Sequence, residues 1–398
     1  MRPILAVFLA ALSAAAQQAH VNLDAAPHRN TENLAPYGTQ VVSPDVDAAG
    51  RITLRLRAPQ ATSVLLAPGP LLNAIGGAKG PLPFTKDAQG LWTLTAGPLK
   101  PNIYVYSLLV DGVRVADPSN TLAGFGNQPP FSEVVVAGET PAYYDPKPVP
   151  HGAVTRHIYH SNVTNGEREM FVYTPPGYDR SKKYPVLYLL GGSGELASGW
   201  MLYGRANLIL DNLIAEGKAK PMIVAMPNNQ VIHRSHPKHV ELTFKTFEAE
   251  LRQHIVPFVD KNYSTRADRK NRALSGLSMG GRHTQQVGFN CLDLFSSFAV
   301  LSAGDAEAEK SNAAFFASKD TAKKIDYLLI AIGDNEEQPL GGATSGPRGS
   351  VAERSRALGA ALKSHGIPHE FYKGGGGAHD WGTWRHLLHE KVLPSLWK

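Results

Sequence analysis

The residues with the clearest potential for chemistry form a serine motif at residues 276–281, which read GLSMGG. In a G-x-S-x-G motif the serine occupies a tight turn between a strand and a helix, and the flanking glycines have no Cβ to collide with neighbouring backbone. The serine Oγ then projects outwards, and amides at the start of the helix face any negative charge that develops beside it. An apolar stretch precedes the motif and a helical pattern follows it at residues 283–289. The sequence therefore predicts that Ser278 is a nucleophile.

A serine nucleophile needs a base that is oriented by a carboxylate. On a strand-to-helix turn of this kind the chain order is serine, acid, histidine. His379 fits this order, because it follows four consecutive glycines and comes after the last long apolar run. The acid is expected just after the apolar run at residues 327–332, where Asp334, Glu336 and Glu337 are the candidates. Spacing alone does not choose among these three.

Acyl transfer also needs two N–H donors for an oxyanion. Met279, the residue after the nucleophile, is expected to supply one of them. The glycine loop at residues 191–194 follows an apolar run, and Gly192 or Ser193 is expected to supply the other. Three tryptophans are candidates for the wall of an aromatic acyl pocket, although tryptophans also pack in cores; they are Trp200, Trp381 and Trp384.

The second part of the chain has the pattern of a scaffold that positions these groups. Continuous apolar runs predict strands buried on both faces; they lie at residues 184–190, 221–226, 272–275 and 325–332. Helical patterns alternate with them at residues 208–215, 244–263 and 351–365. This alternation predicts an α/β domain with a mostly parallel sheet over residues 151–398.

The first part of the chain has a different pattern. Short runs that favour strands are separated by glycine and proline; they lie at residues 51–56, 63–66, 90–95, 104–110 and 134–136. They predict a β-sandwich over residues 41–138, without an evident amphipathic helix. Residues 139–150 contain four prolines and predict a stiff linker.

Composition narrows the possible functions. The 398 residues are 43% apolar and carry a net charge of +6, which is typical of a globular protein. The basic excess forms no run of five or more Lys or Arg, so the sequence does not favour nucleic-acid binding. The one cysteine, Cys291, excludes an intramolecular disulfide and a cysteine zinc cluster, and is expected in the core. The histidine-rich segment at residues 233–239 favours a substrate-side loop over a metal site, so neither a metal nor a cofactor is expected.

Residues 1–16 have the pattern of a secretory signal peptide: Arg2, a short apolar stretch and three alanines. The stretch is too short to cross a bilayer core of about 30 Å. The sequence therefore predicts a secreted or periplasmic protein without a membrane span. A retained N-terminal membrane anchor is the alternative.

Residues 158–396 resemble the esterase-D-type α/β-hydrolases, which include the feruloyl and acetyl-xylan esterases of carbohydrate esterase family one and the related enterochelin esterases. The blocks that carry this resemblance are, in order, YPVLYLL, DNLIAEG, PMIV, GLSMGG and GAHDW. The resemblance implies an α/β-hydrolase fold with Ser278 as nucleophile and His379 as base. Family members often read G-x-x-D after the penultimate strand; counted from Gly333 this position is Glu336, so the resemblance favours Glu336 as the acid, with Asp334 as the alternative. The family usually has His-Gly where this chain has two glycines at the start of the loop.

The N-terminal part resembles the immunoglobulin-like carbohydrate-binding module of the glycogen-binding type, through the blocks GLW at 90–92, YVY at 104–106 and DPSN at 117–120. The aromatic residues of the first two blocks are expected in the core rather than on a sugar-binding face. This pairing of modules implies a secreted esterase that acts on a feruloylated or acetylated polysaccharide or oligosaccharide. A siderophore trilactone esterase and a non-catalytic carbohydrate-binding protein are the alternatives.

Overall fold

The computed structural model describes residues 41–76, 80–124, 129–337 and 349–398. It divides into two compact units, Met1–Lys147 and Pro148–Lys398. The segment that the sequence predicts as a signal peptide, residues 1–16, lies outside the described residues. Of the helices in the described ranges, none is both long and apolar enough to cross a lipid bilayer.

The described part of the first unit contains short strands in three antiparallel sheets, with the orders β1-β2-β6-β5, β4-β3-β8-β9 and β10-β11-β7. The strands are β1 (Asp45–Val46), β2 (Ile52–Arg57), β3 (Val64–Leu66), β4 (Leu82–Pro83), β5 (Thr85–Lys86), β6 (Leu91–Ala96), β7 (Asn102–Tyr106), β8 (Leu108–Val110), β9 (Val113–Val115), β10 (Ala123–Gly124) and β11 (Phe131–Val136). The run predicted as one strand at residues 104–110 divides at Ser107, whose Oγ donates to the Pro130 carbonyl. The two halves of this run belong to different sheets: β7 pairs with β11, and β8 lies between β3 and β9.

One buried apolar cluster draws on all three of these sheets, through residues such as Leu54, Leu108 and Val134. Trp92 and Tyr106 belong to this cluster, and their polar atoms bond to the Ala58 carbonyl and to the Asp117 carboxylate. These two rings therefore pack in the core, as the sequence favours. The short helix α1 (Pro70–Ile75) is not apparent in the sequence pattern, although its proline occupies a position that suits the first turn of a helix.

The second unit is built on an eight-stranded sheet with the order β12-β13-β15-β14-β16-β17-β18-β19. Its strands are β12 (Ala153–Ser161), β13 (Gly166–Thr174), β14 (Val186–Leu190), β15 (Ile223–Pro227), β16 (Arg272–Leu277), β17 (Ser297–Leu301), β18 (Tyr327–Ile332) and β19 (Glu370–Lys373). The six strands from β14 to β19 run parallel to one another, whereas β13 is antiparallel to both of its neighbours, β12 and β15. The α/β architecture with a mostly parallel sheet is confirmed.

The four predicted apolar runs become β14, β15, β16 and β18. The first three of these, together with β17, are buried along their whole length, as strands with cover on both faces must be. The edge hairpin of β12 and β13 is not apparent as an apolar run, because its residues alternate between exposed and buried positions.

The helices of the second unit connect these strands. They are α2 (Gly199–Leu202), α3 (Ala206–Ala215), α4 (His239–Glu250), α5 (Val256–Asn262), α6 (Met279–Gln286), α7 (Ala308–Ser311), α8 (Ala313–Ala317), α9 (Val351–Ser364), α10 (Trp381–Leu387) and α11 (Leu393–Ser395). A π-helical turn, Leu251–Ile255, joins α4 to α5, so the helix predicted at residues 244–263 is continuous. Cys291 is buried in the core of this unit, as expected.

Candidate active site

Ser278 occupies a sharp turn between β16 and α6, with φ 51° and ψ −113°. A positive φ in a residue other than glycine costs about 1–3 kcal/mol and persists only where the surroundings enforce it. The surroundings here are tight: a Cβ on Gly276 would lie 2.6 Å from the Gly280 carbonyl carbon, and a Cβ on Gly280 would lie 2.5 Å from the Leu190 oxygen. The two glycines therefore allow strand, turn and helix to pack closely enough to hold Ser278 in this conformation.

The His379 imidazole lies between this serine and a carboxylate and contacts both. Its Nε2 lies 2.8 Å from Ser278 Oγ, and its Nδ1 lies 2.5 Å from Glu336 Oε1. The imidazole is 20% exposed, whereas the Glu336 side chain is fully buried. A buried carboxylate against Nδ1 keeps a proton on that nitrogen and leaves Nε2 free to accept the serine proton.

The second oxygen of Glu336 is also occupied. Oε2 accepts hydrogen bonds from Ser302 Oγ and from the Gly333 amide, each at 2.8 Å. The second of these bonds folds the side chain back onto the start of its own turn, which the extra methylene of a glutamate allows. The carboxylate is therefore held in one orientation by three hydrogen-bond partners in a buried site.

The other two candidate acids have different partners. Asp334 Oδ2 accepts from the Gly376 amide at 2.6 Å, which secures the glycine loop that carries His379. Glu337 pairs with Arg356 and Lys373, and the hydrogen bonds from these cations lower its pKa to about 2. Of the three candidates, Glu336 is therefore the one in contact with the imidazole.

The sequence pattern does not mark Ser302 as a site residue. It follows the buried strand β17, has a φ of 48°, and its Oγ accepts from Trp384 Nε1 at 3.0 Å while it donates to Glu336. The Trp384 ring also meets the His379 ring edge to face, with centroids 5.1 Å apart. A polar residue at the carboxyl end of a fully buried strand is the signal that would have identified Ser302.

The three tryptophans that are candidates for the wall of an acyl pocket form one buried cluster. Trp200, Trp381 and Trp384 are 1%, 7% and 6% exposed, and successive rings meet edge to face at 5.3 Å. This burial leaves them little surface for contact with a substrate. Leu196 and Leu202, which flank Trp200 in sequence, are 42% and 36% exposed and offer more.

The glycine loop after β14 is held from one side by two amide side chains. Asn229 Nδ2 donates to the Gly191 carbonyl and Gln230 Nε2 donates to the Gly192 carbonyl, each at 2.9 Å. Gln230 Oε1 also accepts from the Gly194 amide at 3.3 Å. The sequence pattern does not mark these two residues as functional, although amide side chains directly after a buried strand are a usable signal.

The two amides predicted for this loop have different geometries. The Gly192 N–H donates to Glu195 Oε2 at 2.9 Å, so it already has an acceptor. In a trans peptide the N–H points opposite to the carbonyl of the preceding residue. Because the Gly192 carbonyl points at Gln230, the Ser193 N–H points away from Gln230.

Two titratable groups, the half-buried Glu195 and the buried His283, support this part of the molecule. Burial raises the pKa of Glu195 to about 7, an effect that its bond from Gly192 partly opposes. Burial lowers the pKa of His283 to about 4, so its imidazole is neutral at pH 7. His283 Nδ1 lies 2.9 Å from the Met279 carbonyl, and its ring packs on Phe244 and Phe247. It therefore braces the first turn of α6 from inside the core.

The described residues contain no group of three or more His, Cys, Asp and Glu side chains placed to hold a metal ion. In the histidine-rich segment, His233 Nδ1 bonds to Ser235 Oγ and His239 Nδ1 bonds to the Ile232 carbonyl. These histidines therefore make hydrogen bonds to other residues of the same segment.

Comparisons with known proteins find similarity to esterases. A family model described as "Putative esterase" matches residues 161–394. An endo-1,4-beta-xylanase/feruloyl esterase from Xylanibacter ruminicola is 33% identical over 89% of this chain, which spans 46% of that relative's length. A mutant feruloyl esterase module from Clostridium thermocellum, solved in complex with sinapinate, is 26% identical with a TM-score of 0.53, over 65% of this chain and 91% of that one. The enterochelin esterase from Shigella flexneri is 16% identical with a TM-score of 0.64, over 87% of this chain and 92% of that one, and shares the fold.

Replacing Glu195 by glutamine tests the raised pKa of this carboxyl. With a folded pKa of about 7 against an ordinary value of 4.5, the folded protein binds more protons than the unfolded chain between these pH values. The contribution of Glu195 to the free energy of unfolding therefore falls as pH rises through that window. We expect Glu195→Gln to gain stability relative to wild type by up to about 3 kcal/mol between pH 4.5 and 7, measured by urea unfolding at several pH values. Glu241→Gln, at an exposed site, is the control, and a pH-independent difference for Glu195→Gln would contradict the assignment.

Proposed function

Because the chain belongs to the esterase family, we propose that it is a serine carboxylic-ester hydrolase in which Ser278, His379 and Glu336 form the catalytic triad. The observation that carries this proposal is the continuous path of short contacts from Ser278 Oγ through the imidazole to the buried Glu336 carboxylate. The strained backbone at Ser278 adds support, because strain of this kind clusters at functional sites. A carbohydrate-binding protein without catalytic activity would not need either feature.

In the first half of the proposed reaction, Ser278 Oγ attacks the ester carbonyl carbon and His379 Nε2 takes the hydroxyl proton. The imidazolium that forms is stabilised by the Glu336 carboxylate. When the tetrahedral intermediate collapses, the bond to the alkoxy oxygen breaks, and His379 gives its proton to the departing alcohol. The product of this half is an acyl group on Ser278.

In the second half, water takes the place of the alcohol. His379 removes a proton from the water as its oxygen attacks the acyl carbon, and the tetrahedral intermediate then expels Ser278 Oγ, which recovers the proton. The carboxylic acid leaves and the triad returns to its starting state. The same imidazole nitrogen therefore serves as base and then acid in each half.

The oxyanion that forms twice in this cycle needs two preorganised donors. We propose the Met279 amide, at the start of α6, and the Ser193 amide in the loop after β14. The bond from Gln230 to the Gly192 carbonyl fixes the peptide unit that carries the Ser193 N–H, which favours Ser193 over Gly192 as the loop donor. Gln230 then acts as a positioning residue, because it holds the carbonyl of the same peptide unit.

We propose feruloyl groups on a plant cell-wall polysaccharide as the substrate, with acetyl groups as the alternative. The support is the function of similar proteins: a xylanase/feruloyl esterase and a feruloyl esterase module solved in complex with sinapinate, an aromatic acid. Leu196 and Leu202, which are exposed in the segment after the glycine loop, are candidates for the apolar surface that contacts an aromatic acyl group. The structural similarity to the enterochelin esterase is limited to the fold.

We further propose that the first unit is an immunoglobulin-like sandwich of the type found in carbohydrate-binding modules, and that the protein is exported through a signal peptide at residues 1–16. The three small antiparallel sheets of the first unit, which share one apolar core, support the first proposal. The second follows from the substrate, because a cell-wall polysaccharide is too large to enter a cell intact.

A substrate panel tests the proposed function. Methyl ferulate, acetylated xylan and enterobactin are offered at equal enzyme concentration, and release of ferulate, acetate or dihydroxybenzoylserine is measured. We expect methyl ferulate to be hydrolysed fastest and Ser278→Ala to lose activity by about 10⁴-fold or more while it unfolds at the same urea concentration. Faster hydrolysis of enterobactin would replace the proposed substrate, and unchanged turnover by Ser278→Ala would refute the nucleophile.

A pair of isosteric variants tests the acid. In Glu336→Gln, an amide N–H or a neutral oxygen faces His379 Nδ1 and no longer stabilises the imidazolium, so we expect kcat to fall about 10³-fold. Asp334→Asn retains an oxygen that accepts from Gly376, so a much smaller loss is expected. Steady-state kinetics on methyl ferulate would distinguish the two, and a larger loss in Asp334→Asn would reverse the assignment.

The role of Gln230 is tested by Gln230→Leu. This change frees the Gly192 carbonyl, and because the oxyanion contact is made mainly in the transition state, we expect kcat to fall about 10–100-fold with little change in KM. Asn262→Leu is the matched control, since Asn262 makes an amide-to-carbonyl bond of the same kind to Phe258 at the end of α5. If both variants lose stability but neither loses kcat, Gln230 is merely structural.

A further inference from the structure

A cavity lies at the opposite edge of the same sheet from the triad. It has a volume of about 630 Å³, and Pro185 and Pro221, which stand before β14 and β15, form part of its lining. Ser278, in contrast, follows the carboxyl end of β16. Since β14 and β16 are parallel, the cavity and the triad are separated by at least the length of a five-residue strand, roughly 16 Å.

The cavity is lined by four cationic side chains and no carboxylate. They are Lys182, Lys183, Lys220 and Arg266, all exposed. Asp179, the nearest carboxylate along the chain to the first two lysines, interacts electrostatically with Lys182 but does not line the cavity. Among the ion pairs of the described ranges, none includes any of these four cations, so the lining carries an excess of positive charge that creates a positive potential over the cavity.

One wall of the cavity is a fixed aromatic ring. Trp397 lines it, and its Nε1 donates to the Lys270 carbonyl at 2.9 Å, which restrains the indole. The guanidinium of Arg266 is likewise restrained, through Nε to the Lys183 carbonyl at 3.2 Å. The cavity therefore combines separated positive charges with a restrained apolar surface.

We propose that this cavity is a secondary binding site for a saccharide chain that carries carboxylates, such as a chain of uronic acid residues. Carboxylates match the ammonium and guanidinium groups, and the C–H face of a sugar ring matches the flat indole. The alternative polyanion, a nucleic acid strand, is less well matched, because strand-binding proteins stack successive bases on several aromatic side chains. Of the two aromatic residues in the lining, Tyr184 is only 7% exposed, which leaves Trp397 as the stacking surface. The choice of a polysaccharide rests on the proposed function of the triad.

Individual exposed contacts of this kind are weak and are screened by salt. A polymer that offers many copies of the same group raises the local ligand concentration and compensates for this weakness. The site would therefore hold the enzyme on an acidic polysaccharide while the distant triad acts on ester groups. It is not expected to contribute to the hydrolysis of a small soluble ester.

The test is affinity electrophoresis of the full chain in gels that contain polygalacturonate, unsubstituted neutral xylan or single-stranded DNA. The triple variant Lys182→Gln, Lys183→Gln, Lys220→Gln is compared with a control triple, Lys310→Gln, Lys319→Gln, Lys363→Gln, which removes the same charge from exposed positions elsewhere in the unit. We expect polygalacturonate to retard the wild type, the cavity triple to bind it roughly tenfold more weakly and the control triple to stay within about twofold of wild type.

Three results would overturn the proposal: no retardation of wild type by polygalacturonate, equal weakening in the two triples, or stronger retention by DNA that depends on the same three lysines. Trp397→Ala is a further variant, and its binding of polygalacturonate is expected to weaken without a change in net charge. Methyl ferulate hydrolysis is measured in parallel and is expected to be unchanged in all three variants. If the proposed triad is wrong, wild type is not expected to hydrolyse methyl ferulate, whereas if only the cavity proposal is wrong this hydrolysis is unaffected. The failures of the two proposals are therefore distinguishable.

Discussion

The imidazole of His379 lies between two oxygens, 2.8 Å from Ser278 Oγ and 2.5 Å from Glu336 Oε1, and the rest of the second unit is arranged to keep it there. The two oxygens and the ring belong to three segments that are far apart in sequence. They meet because β16 and β18 are parallel strands of one sheet, so the loops after them open at the same edge. The glycine loop that carries His379 comes from the neighbouring β19 and is fastened to Asp334 and Asn335.

A second layer of contacts turns this meeting point into a defined geometry. Ser302 bonds to the Glu336 carboxylate, and Trp384 bonds to Ser302 and packs against the His379 ring. His283 bonds to the first turn of the helix that follows the nucleophile. On the other side, Asn229 and Gln230 hold the carbonyls of the glycine loop. These side chains are largely buried, and these hydrogen bonds join them to one another or to backbone carbonyls. Such networks are costly to leave incomplete, which is why they specify one arrangement.

Much of the second unit follows from its sequence, because strands that are buried on both faces read as continuous apolar runs and a serine on a tight turn needs glycines beside it. Those two patterns lead to β14, β15, β16 and β18 and to Ser278. His379 follows from chain order. The spacing of Asp334, Glu336 and Glu337 does not identify the acid, because the choice depends on how the turn after β18 folds its side chains back, and the resemblance to known esterases is what favours Glu336. Ser302 and Gln230 follow buried strands, which is a usable signal of their position, but their roles, like that of Glu195, arise only when separate loops come together. The edge hairpin of β12 and β13 carries too many exposed residues to read as an apolar run.

The central claim is that Ser278 becomes covalently acylated. The most direct measurement is active-site titration with a chromogenic phosphonate ester, followed by mass spectrometry of the proteolytic peptides. The account predicts one equivalent of adduct, on the peptide that contains Ser278, formed at a rate that falls when Glu336 is replaced by glutamine and accompanied by complete loss of esterase activity. Full esterase activity after stoichiometric modification, or modification of a different residue in step with the loss of activity, would contradict it.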